Sequence, residues 1–386
     1  MKLAFALFTY FPHGGLTRDA IAIARVCRQR GHQVTMYVGE CRGAADGGEM
    51  EVRLLPVKAR TNHGKGREFA AQLKAAMANE AHAPDLLIGF NKMPGLDVYY
   101  AADGCFAEKI RARAWWYQAT PRCRHYLDFE NAVFANDAAT QILMIARNQI
   151  GVYQNFYDTQ DARMTLLPPG IARDRIAGDD ASARRKIFRA QWHLNDNDKL
   201  LLALGSGFRT KGLDRTLRAL AALPPQVRDK TKLFIVGDDN AAPFEKIVRR
   251  LKLKVGVGAD AQVRFLGGRD EVPAFLSGAD VLLHPAQREN TGSVLLEAMV
   301  AGLPVIATDV CGYAHYVRDE NMGEVLASPF DQLALNLSLQ RLLKVERDSW
   351  RVRGREFAKR ADIYDMPLHA CRRIEEIFAR RKNNTT

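Results

Sequence analysis

Short, nearly continuous apolar runs alternate with amphipathic stretches along all 386 residues, and this alternation restricts the fold more than any other feature of the sequence. Such runs are typical of parallel β-strands that are covered by helices on both faces of the sheet. In the first half of the chain, the runs predict strands at Leu3–Thr9, Val34–Val38, Val52–Pro56, Leu86–Phe90 and Ile142–Ile145. In the second half, they predict strands at Leu200–Leu204, Leu233–Val236, Val263–Phe265, Val281–Leu283 and Pro304–Ala307.

About five strands in each half predict an α/β protein with two doubly wound, Rossmann-like parallel sheets rather than one large sheet. The Pro-Pro segment Leu166–Gly170 is a stiff connection between the halves and a natural hinge. We therefore expect an N-terminal domain over residues 1–168 and a C-terminal domain over residues 169–362. Open α/β sheets bind ligands at the carboxyl ends of their strands, so two such domains facing each other predict one cleft for the chemistry.

The most informative motif runs from His284 to Pro304, where a buried strand, a loop and the start of a helix follow one another. Glu289 lies in the loop, and Glu297 lies inside the helix. Carboxylates accept hydrogen bonds from sugar hydroxyls, and the free amides at a helix N-terminus bind phosphate. A nucleotide sugar has the matching layout of hexose, diphosphate and ribose. In a purely structural interpretation, the negative charge of Glu289 would interact favourably with the dipole at the helix N-terminus, and Glu297 would be a solvated charge.

Gly14 and Gly15 follow the first predicted strand and precede a helix predicted over Thr17–Arg30. Adjacent glycines let the backbone approach an anion at the helix N-terminus, although they also suit a tight strand-to-helix turn. The pattern is not Gly-x-Gly-x-x-Gly, and no acidic residue stands at the ribose-reading position of a dinucleotide site. Both facts argue against a nicotinamide cofactor.

Glu-x7-Glu followed by Ala-Gly-Leu-Pro, together with Gly14-Gly15, resembles the retaining glycosyltransferases of family four, which have the GT-B fold. A closer resemblance is to the lipopolysaccharide core glucosyltransferase I group. Its motifs are spread along nearly the whole chain, at Tyr10–Asp19, Thr61–Gly64, Gly89–Asp97, Ala101–Asp103, Arg124–Tyr126, Leu167–Ile171 and Val310–Tyr316. The resemblance implies a retaining hexosyltransferase that moves glucose or a related hexose from a UDP-sugar to a heptose of the lipopolysaccharide inner core. It also implies that a last helix, at about residues 363–386, crosses back to the N-terminal domain.

By this resemblance, Glu289 would hold the donor hexose and Glu297 would bind the ribose. The other implied donor-binding residues are Gly14, Gly15, Arg175, Arg209, Lys211, Gly268, Arg269, Asn290, Thr291 and Gly292. Of these, the glycine and arginine at 268 and 269 would frame the base, and the segment 290–292 would offer backbone donors to sugar and phosphate.

The cations of the donor set would neutralise the leaving diphosphate. The chain departs from the family pattern here, because Thr210 precedes Lys211 where the family usually has arginine, and Arg209 stands one position earlier. For Arg175 and Arg209, ordinary surface charge is the alternative interpretation.

The resemblance also implies a front-face substitution, in which the departing diphosphate helps to deprotonate the acceptor hydroxyl. Glu289, Asp103 and Asp19 are then the candidate catalytic residues, with the two aspartates orienting the acceptor or the sugar. His125 could orient the acceptor as well, or it could be a packed structural histidine.

We predict no metal and no cofactor, although two acidic segments need an interpretation. Metal-dependent transferases are expected to have an Asp-x-Asp pattern at the end of a strand, where the carboxylates can bind the metal ion. Asp196-Asn-Asp198 precedes a predicted strand, which favours a turn. Asp238-Asp239 follows a predicted strand and is better placed for a metal, but the cations expected at the diphosphate favour an ordinary loop.

The formal net charge of +12 is concentrated in two segments. Residues 109–126 contain five basic side chains and no acid, and residues 344–386 contain twelve basic and seven acidic side chains. In the first segment, cations alternate with aromatic rings, as at an interface with anionic lipid. The membrane or acceptor candidates there are Lys109, Arg111, Arg113, Trp115, Trp116, Arg122, Arg124 and His125. The alternative is a buried aromatic pair beneath a solvated basic face.

Six scattered cysteines without Cys-x-x-Cys predict reduced thiols, and no apolar run is long enough to span a bilayer. We therefore predict a cytoplasmic transferase that is peripheral on the inner membrane. Its expected partners are a UDP-sugar, the lipopolysaccharide core and an anionic membrane surface, with no nucleic acid. Two alternatives stay open: a nucleotide-sugar epimerase on the same fold, and a basic nucleic-acid-binding protein.

Overall fold

The chain forms two compact units in the computed structural model, which describes residues 1–11, 14–42, 50–78, 83–111 and 113–383. The first unit consists of Met1–Gly170 and Asp365–Thr386, and the second of Ile171–Tyr364. The predicted boundaries, 168 and 362, each lie two residues before the observed ones.

The centre of the first unit is a sheet of seven parallel strands, β1 (Lys2–Tyr10), β2 (Gln33–Cys41), β3 (Glu51–Leu54), β4 (Leu86–Gly89), β5 (Val98–Ala101), β6 (Gln141–Met144) and β7 (Met164–Leu166). Their spatial order is β3-β2-β1-β4-β5-β6-β7. The helices between them are α1 (Gly15–Gln29), α2 (Asn62–Met77), α3 (Phe106–Arg111), α4 (Trp115–Gln118), α5 (Pro121–Phe134) and α6 (Arg147–Tyr157).

Helices cover both faces of this sheet because side chains alternate along each strand. On β1, Phe5 and Leu7 join one buried cluster with α1, whereas Ala4 and Ala6 join another with α2. The near-continuous apolar character of the strand follows from this burial on both sides. Helix α1 ends just before Gly31, whose φ of +87° lies in the left-handed region that favours glycine.

The second unit repeats the plan with six parallel strands, β8 (Lys199–Leu204), β9 (Thr231–Val236), β10 (Val263–Phe265), β11 (Val281–His284), β12 (Val305–Thr308) and β13 (Gly323–Leu326). Their spatial order is β10-β9-β8-β11-β12-β13. The helices are α7 (Ala181–Gln191), α8 (Leu213–Ala221), α9 (Pro225–Arg228), α10 (Ala242–Arg250), α11 (Val272–Gly278), α12 (Ser293–Val300), α13 (Ala314–Asp319), α14 (Gln332–Leu342) and α15 (Arg347–Arg360).

The last helix, α16 (Met366–Asn383), belongs to the first unit. Its buried residues Cys371 and Ile374 join the same apolar cluster as Ile23 of α1. At the edge of this contact, the guanidinium of Arg30 donates to both carboxylate oxygens of Glu375, at 2.8 and 2.9 Å. The last helix of the chain therefore packs against the first helix.

Ten strands lie where the apolar runs predict them, and three further strands, β5, β7 and β13, lie where the sequence analysis predicts none. The prediction of about five strands in each half is therefore too low. Strands β7 and β13 have only three and four residues and are edge strands with few buried side chains, so their apolar signal is weak. Strand β5 is wholly buried but is a run of only four residues, which follows the Gly89–Asp97 motif and overlaps the Ala101–Asp103 motif at Ala101.

Among the described residues, no helix combines the length and the apolar character that crossing a bilayer requires. Some predicted features lie outside the described residues: Pro12 and His13 of the first motif, Ala112 of the basic segment and residues 384–386 of the last helix.

Candidate active site

The predicted strand, loop and helix around Glu289 are present in the second unit. Strand β11 ends at His284, and α12 begins at Ser293. Gly292 precedes the helix with φ +80° and ψ +50°, a left-handed conformation that glycine adopts without the steric cost of a Cβ. The loop therefore ends in a sharp turn. The amide of Leu295 donates to the carbonyl of Gly292 at 2.9 Å, and the two helical residues before it have no helix carbonyl four positions earlier to bind.

The carboxylate of Glu289 lies between a histidine and a lysine. Its Oε2 is 2.9 Å from Nε2 of His284 and forms an ion pair with Nζ of Lys211, which follows β8. Burial raises the pKa of Glu289, but the hydrogen bond from His284 and the charge of Lys211 outweigh it and lower the pKa to about 2. Glu289 is therefore ionised throughout the neutral pH range.

His284 is neutral and its tautomer is determined by this contact. Burial lowers the pKa of the imidazole, against the opposing effect of Glu289. Because an ionised carboxylate can only accept, Nε2 of His284 must carry the proton and donate it to Glu289. No role for His284 follows from the sequence motifs. Its position at the end of a buried strand, five residues before the glutamate, is the signal that could have identified it.

Neighbouring loops fix the backbone of the segment before α12. The amide of Gln287 donates to the carbonyl of Thr210 at 2.8 Å, and the amide of Tyr313 donates to the carbonyl of Thr291 at 2.8 Å. Gly312 approaches so closely that a Cβ there would lie 2.2 Å from the carbonyl oxygen of Asn290. The segment Asn290–Gly292 is therefore rigidly placed between two other loops.

Arg175 and Glu297 form a second ion pair in this unit, with Nε of the arginine 3.3 Å from Oε2 of the glutamate. Each side chain is only 9% exposed, so neither is the solvated surface charge of the alternative interpretation. Arg209, by contrast, is exposed, as surface charge would be. The structure thus brings Arg175 to the predicted ribose residue and leaves Arg209 in solvent.

The loops after β9 and β10 lie beside the loop after β8. Gly237, in the loop after β9, approaches the loop after β8 so closely that a Cβ on Gly237 would lie 2.5 Å from the carbonyl oxygen of Gly205. The amide of Gly237 donates to the carbonyl of Gly267 at 2.9 Å, and both Gly268 and Arg269 are exposed just beyond. These predicted base-binding residues therefore lie at the same edge of the sheet as Lys211.

Both acidic segments have structural roles. A carboxylate oxygen of Asp198 accepts from the amide of Asn195 at 2.8 Å, in the predicted turn before β8. Asp239 accepts from the amide of Phe208 at 2.7 Å and so orders the loop that contains Lys211. Within the described part of the chain, one cluster of side chains is compact enough to share a metal ion, and it lies in the first unit at His32, Cys371 and Glu375.

In the first unit, the predicted carboxylates lie at the carboxyl end of β5. Tyr100, on that strand, donates its hydroxyl proton to Asp19 at 2.8 Å, and Asp103 is exposed just beyond the strand. The amide of Gly14 donates to the carbonyl of Phe11 at 2.8 Å, which is the tight turn of the alternative interpretation. Gly15 is exposed as the first residue of α1.

A buried ion pair, which the sequence analysis does not identify, positions the loop around Asp103. Lys92 pairs with Glu130, whose side chain is fully buried, and also donates to the carbonyl of Gly104 at 3.1 Å. Glu130 accepts from the amide of Phe106 at 2.7 Å at the start of α3. Lys92 stands in the Gly89–Asp97 motif, which was the only available signal.

The side chains of the basic segment, residues 109–126, differ in their exposure to solvent. Trp115 and Trp116 are 81% and 62% exposed, so the interpretation as a buried aromatic pair is wrong. The basic side chains of the segment are also exposed, at Lys109, Arg111, Arg113, Arg122 and Arg124.

His125 differs from its neighbours because it is buried. It is 4% exposed and packs against Phe129 with a ring-centroid distance of 4.1 Å. Burial, with smaller effects of Arg67 and His63, lowers the pKa of His125 to about 4. Its inclusion among the exposed acceptor or membrane residues is therefore wrong, and its place is that of the packed structural histidine.

Comparison with known proteins identifies the family. The lipopolysaccharide glucosyltransferase WaaG of Escherichia coli strain K12 is 42% identical over 378 residues, which are 96% of this chain and 98% of that protein. The chain belongs to the WaaG family of glycosyltransferases. The family description "Glycosyl transferases group 1" matches residues 184–360, which form most of the second unit.

Solved structures agree with this assignment. A crystal structure of WaaG, "a glycosyltransferase involved in lipopolysaccharide biosynthesis", superposes with a TM-score of 0.90 at 41% identity, covering 96% of this chain and 98% of that one. The fold prediction is confirmed, since both parallel-sheet α/β domains match this GT-B structure. Anabaena HepE in complex with UDP-glucose has a TM-score of 0.74 at 18% identity, covering 97% of this chain and 100% of that one, and supports the fold alone. The epimerase alternative has no support among these relatives.

Proposed function

We propose that this WaaG-family protein is a retaining glucosyltransferase that moves glucose, or a related hexose, from a UDP-sugar to a heptose of the lipopolysaccharide inner core. The name of the E. coli relative, a lipopolysaccharide glucosyltransferase, supports the sugar and the class of acceptor. One observation in the structure carries the proposal. It is the ionised Glu289, held by His284 and Lys211 after the carboxyl end of β11.

In this proposal, the loop before α12 binds the hexose and the diphosphate. The carboxylate of Glu289 accepts hydrogen bonds from hexose hydroxyls, which need an acceptor that stays ionised at neutral pH. The amides of Asn290–Gly292 and of the start of α12 donate to the sugar and the phosphates. Lys211, already directed at Glu289, supplies a cation beside them.

The remainder of the donor binds to the neighbouring loops. Glu297 accepts from the ribose hydroxyls, and its ion pair with Arg175 orients it for this role. The base lies against Gly268 and Arg269. Arg209 is free to turn towards the diphosphate because it is exposed.

The reaction exchanges one bond at the anomeric carbon for another on the same face of the sugar. The bond from C1 to the β-phosphate oxygen breaks, and its electron pair leaves with UDP. The acceptor oxygen forms the new bond to C1, and its proton passes to the leaving phosphate. Lys211 and the amides of α12 stabilise the negative charge that develops on the diphosphate. We infer that the reaction therefore needs no metal ion and no cofactor.

The first unit supplies the acceptor residues and the membrane contact in this proposal. Asp103 is exposed at the end of β5 and can accept from an acceptor hydroxyl, while Asp19 is oriented by Tyr100. The exposed pair Trp115 and Trp116, among five exposed cations, suits the headgroup region of an anionic bilayer at its cytoplasmic face.

The deciding experiment incubates the protein with UDP-glucose, UDP-galactose and UDP-N-acetylglucosamine, each with lipopolysaccharide truncated to its heptose core. Mass spectrometry should show one added hexose, with UDP-glucose the best donor, and the added hexose should be α-linked by NMR. The same rate in excess EDTA is expected. Transfer from none of the three donors, or conversion of the UDP-sugar without acceptor, would contradict the proposal.

A further inference from the structure

A cavity of about 620 Å³ lies in the second unit at the amino-terminal edge of its sheet. Lys199, which begins β8, and Asp280, which precedes β11, both line it. Lys211 and Glu289 lie beyond the opposite ends of these same strands. At about 3.3 Å per residue, the six-residue strand β8 separates the two sites by roughly 15 Å or more.

The walls of this cavity are strongly basic. Seven basic side chains and four acidic side chains line it. The basic residues are Arg185, Lys186 and Arg189 of α7, Lys199 and Lys344, and Arg347 and Arg351 of α15. The first turn of α15 also belongs to the wall, so the positive end of a 14-residue helix adds to the same field.

Two of the arginines are held in place by backbone carbonyls. Arg185 donates to the carbonyl of Ala279 at 2.9 Å and to Asp280 at 2.6 Å. Arg347 donates to the carbonyl of Ser277 at 2.9 Å and to that of Ala279. Asp280 pairs with Arg185 and Arg189, and Asp348 pairs with Arg351. Because the wall has seven basic and four acidic side chains, it keeps an excess of three positive charges.

Two buried donors in the wall have no acceptor among the residues that the structure describes. These are Nε of Arg347 and the indole Nε1 of Trp350, whose side chain is only 7% exposed. A buried donor without a partner costs free energy, and an acceptor in the cavity would remove that cost. Burial, together with the charges of Arg185 and Arg351, lowers the pKa of Arg347 to about 9, in spite of Asp280. The cavity therefore favours an anion that accepts hydrogen bonds.

We propose that this cavity is a second binding site of the protein, for a phosphate group, separate from the site of the donor sugar. A phosphate has the negative charge to balance the basic excess of the wall and enough oxygen acceptors for Arg347, Trp350 and a rim cation at once. The phosphate can come from a free phosphorylated molecule or from a phospholipid headgroup. Exposed Ile187 and Val352, on the two helices of the wall, are apolar side chains that a lipid would cover.

The first arm of the test uses pyrophosphate, at constant ionic strength and with saturating UDP to occupy the donor site. Binding is followed by calorimetry and by the midpoint of thermal unfolding, which a ligand of the folded state raises. Lys186→Gln and Arg184→Gln each remove one exposed cation from α7, but only Lys186 lines the cavity. We expect Lys186→Gln to weaken binding about tenfold, the usual size of one charge-assisted hydrogen bond, and Arg184→Gln to leave it unchanged.

Trp350→Phe tests the buried donor, because it removes the indole N–H and keeps most of the apolar ring. It too should weaken pyrophosphate binding, and intrinsic tryptophan fluorescence should respond to the ligand in the parent protein and less in this variant. Binding that both variants leave unchanged would place pyrophosphate elsewhere and overturn its assignment to this cavity.

The second arm uses vesicles of phosphatidylglycerol, with phosphatidylcholine vesicles as the uncharged comparison. The protein carries Trp115→Ala and Trp116→Ala, so that the basic segment of the first unit does not dominate. Loss of vesicle binding in Lys186→Gln but not in Arg184→Gln identifies a lipid headgroup as the source of the phosphate. The proposal is overturned if Lys186→Gln equals Arg184→Gln with both probes. Neither arm depends on transfer activity, so this result is independent of the proposed function.

Discussion

Nε2 of His284 lies 2.9 Å from Oε2 of Glu289, and this contact joins the last residue of a buried strand to the loop that follows it. Because the imidazole of His284 is neutral, its hydrogen bond orients the carboxylate of Glu289 and does not neutralise the negative charge of that carboxylate. Lys211 balances that charge from a second loop. The arrangement keeps a partly buried carboxylate ionised and pointed in one direction, which is what the recognition of sugar hydroxyls requires.

Glu289→Ala should therefore abolish transfer while nucleotide binding is largely kept. We expect kcat/KM to fall by at least ~10²-fold, as when one preorganised group at a reacting centre is removed. Glu289→Gln, which keeps the shape but not the charge, should also be severely impaired. Acceptor-dependent transfer and UDP affinity by calorimetry measure the two effects separately. Turnover near that of the parent protein in either variant would contradict the role of Glu289.

Gly312→Ala should weaken donor binding, because the new Cβ would lie 2.2 Å from the carbonyl oxygen of Asn290. A clash of this kind costs about 1–3 kcal/mol, so KM for the UDP-sugar should rise roughly tenfold. Gly151→Ala is the matched control, since a Cβ at that position of α6 meets nothing within 4 Å. Steady-state kinetics of both variants test the prediction. Equal KM values would show that the loop accommodates the methyl group.

Glu130→Gln should destabilise the protein, since it leaves the buried ammonium of Lys92 without its counterion. Breaking one side of a buried ion pair costs about 3–5 kcal/mol. Glu108→Gln, on the exposed face of the helix that Glu130 holds, should change stability little. The free energy of unfolding in urea compares the two variants. A stability of Glu130→Gln equal to that of Glu108→Gln would show that this pair contributes little.

Stability should fall as the pH drops from about 6.5 towards 4, because folding lowers the pKa of His125 to about 4. The unfolded chain binds a proton near pH 6.5 that the folded protein binds only near pH 4, so acid favours unfolding across this window. The full effect is on the order of 3 kcal/mol. Burial lowers the pKa of His284 as well and acts in the same direction.

His125→Phe should flatten this pH dependence, whereas replacement of the exposed His315 by Gln should not. Urea unfolding at pH 4.5, 5.5 and 7 gives the comparison. An unchanged slope in His125→Phe would mean that other groups cause the acid sensitivity.

Replacing Trp115 and Trp116 together by Ala should weaken binding to phosphatidylglycerol vesicles, because it removes exposed apolar surface that a bilayer would cover. Leu333→Ala, at a position 62% exposed in the second unit, is the control. Vesicle flotation at two salt concentrations separates the aromatic effect from that of the surrounding cations. Equal flotation of both variants would argue against a membrane role for the segment.

The sequence alone determined the class of fold and predicted Glu289 as the main carboxylate. Buried parallel strands must be apolar on both faces, so they stand out in the sequence as apolar runs. Ten strands of the structure lie at such runs. Glu289 and Glu297 were predicted from their positions relative to a strand and a helix, which are local, whereas Lys211 was predicted from the resemblance to the family. Short edge strands such as β7 and β13 were not, because three or four half-buried residues carry little apolar signal.

Only the tertiary structure decided which of these side chains meet. The contacts of Glu289 with Lys211 and of Glu297 with Arg175 join residues 78 and 122 positions apart, and no local pattern encodes such distances. The structure likewise separated Trp115 and Trp116, which are exposed, from His125, which is buried in the same segment. Burial depends on what the rest of the chain packs against, and for that reason it had to be read from the fold.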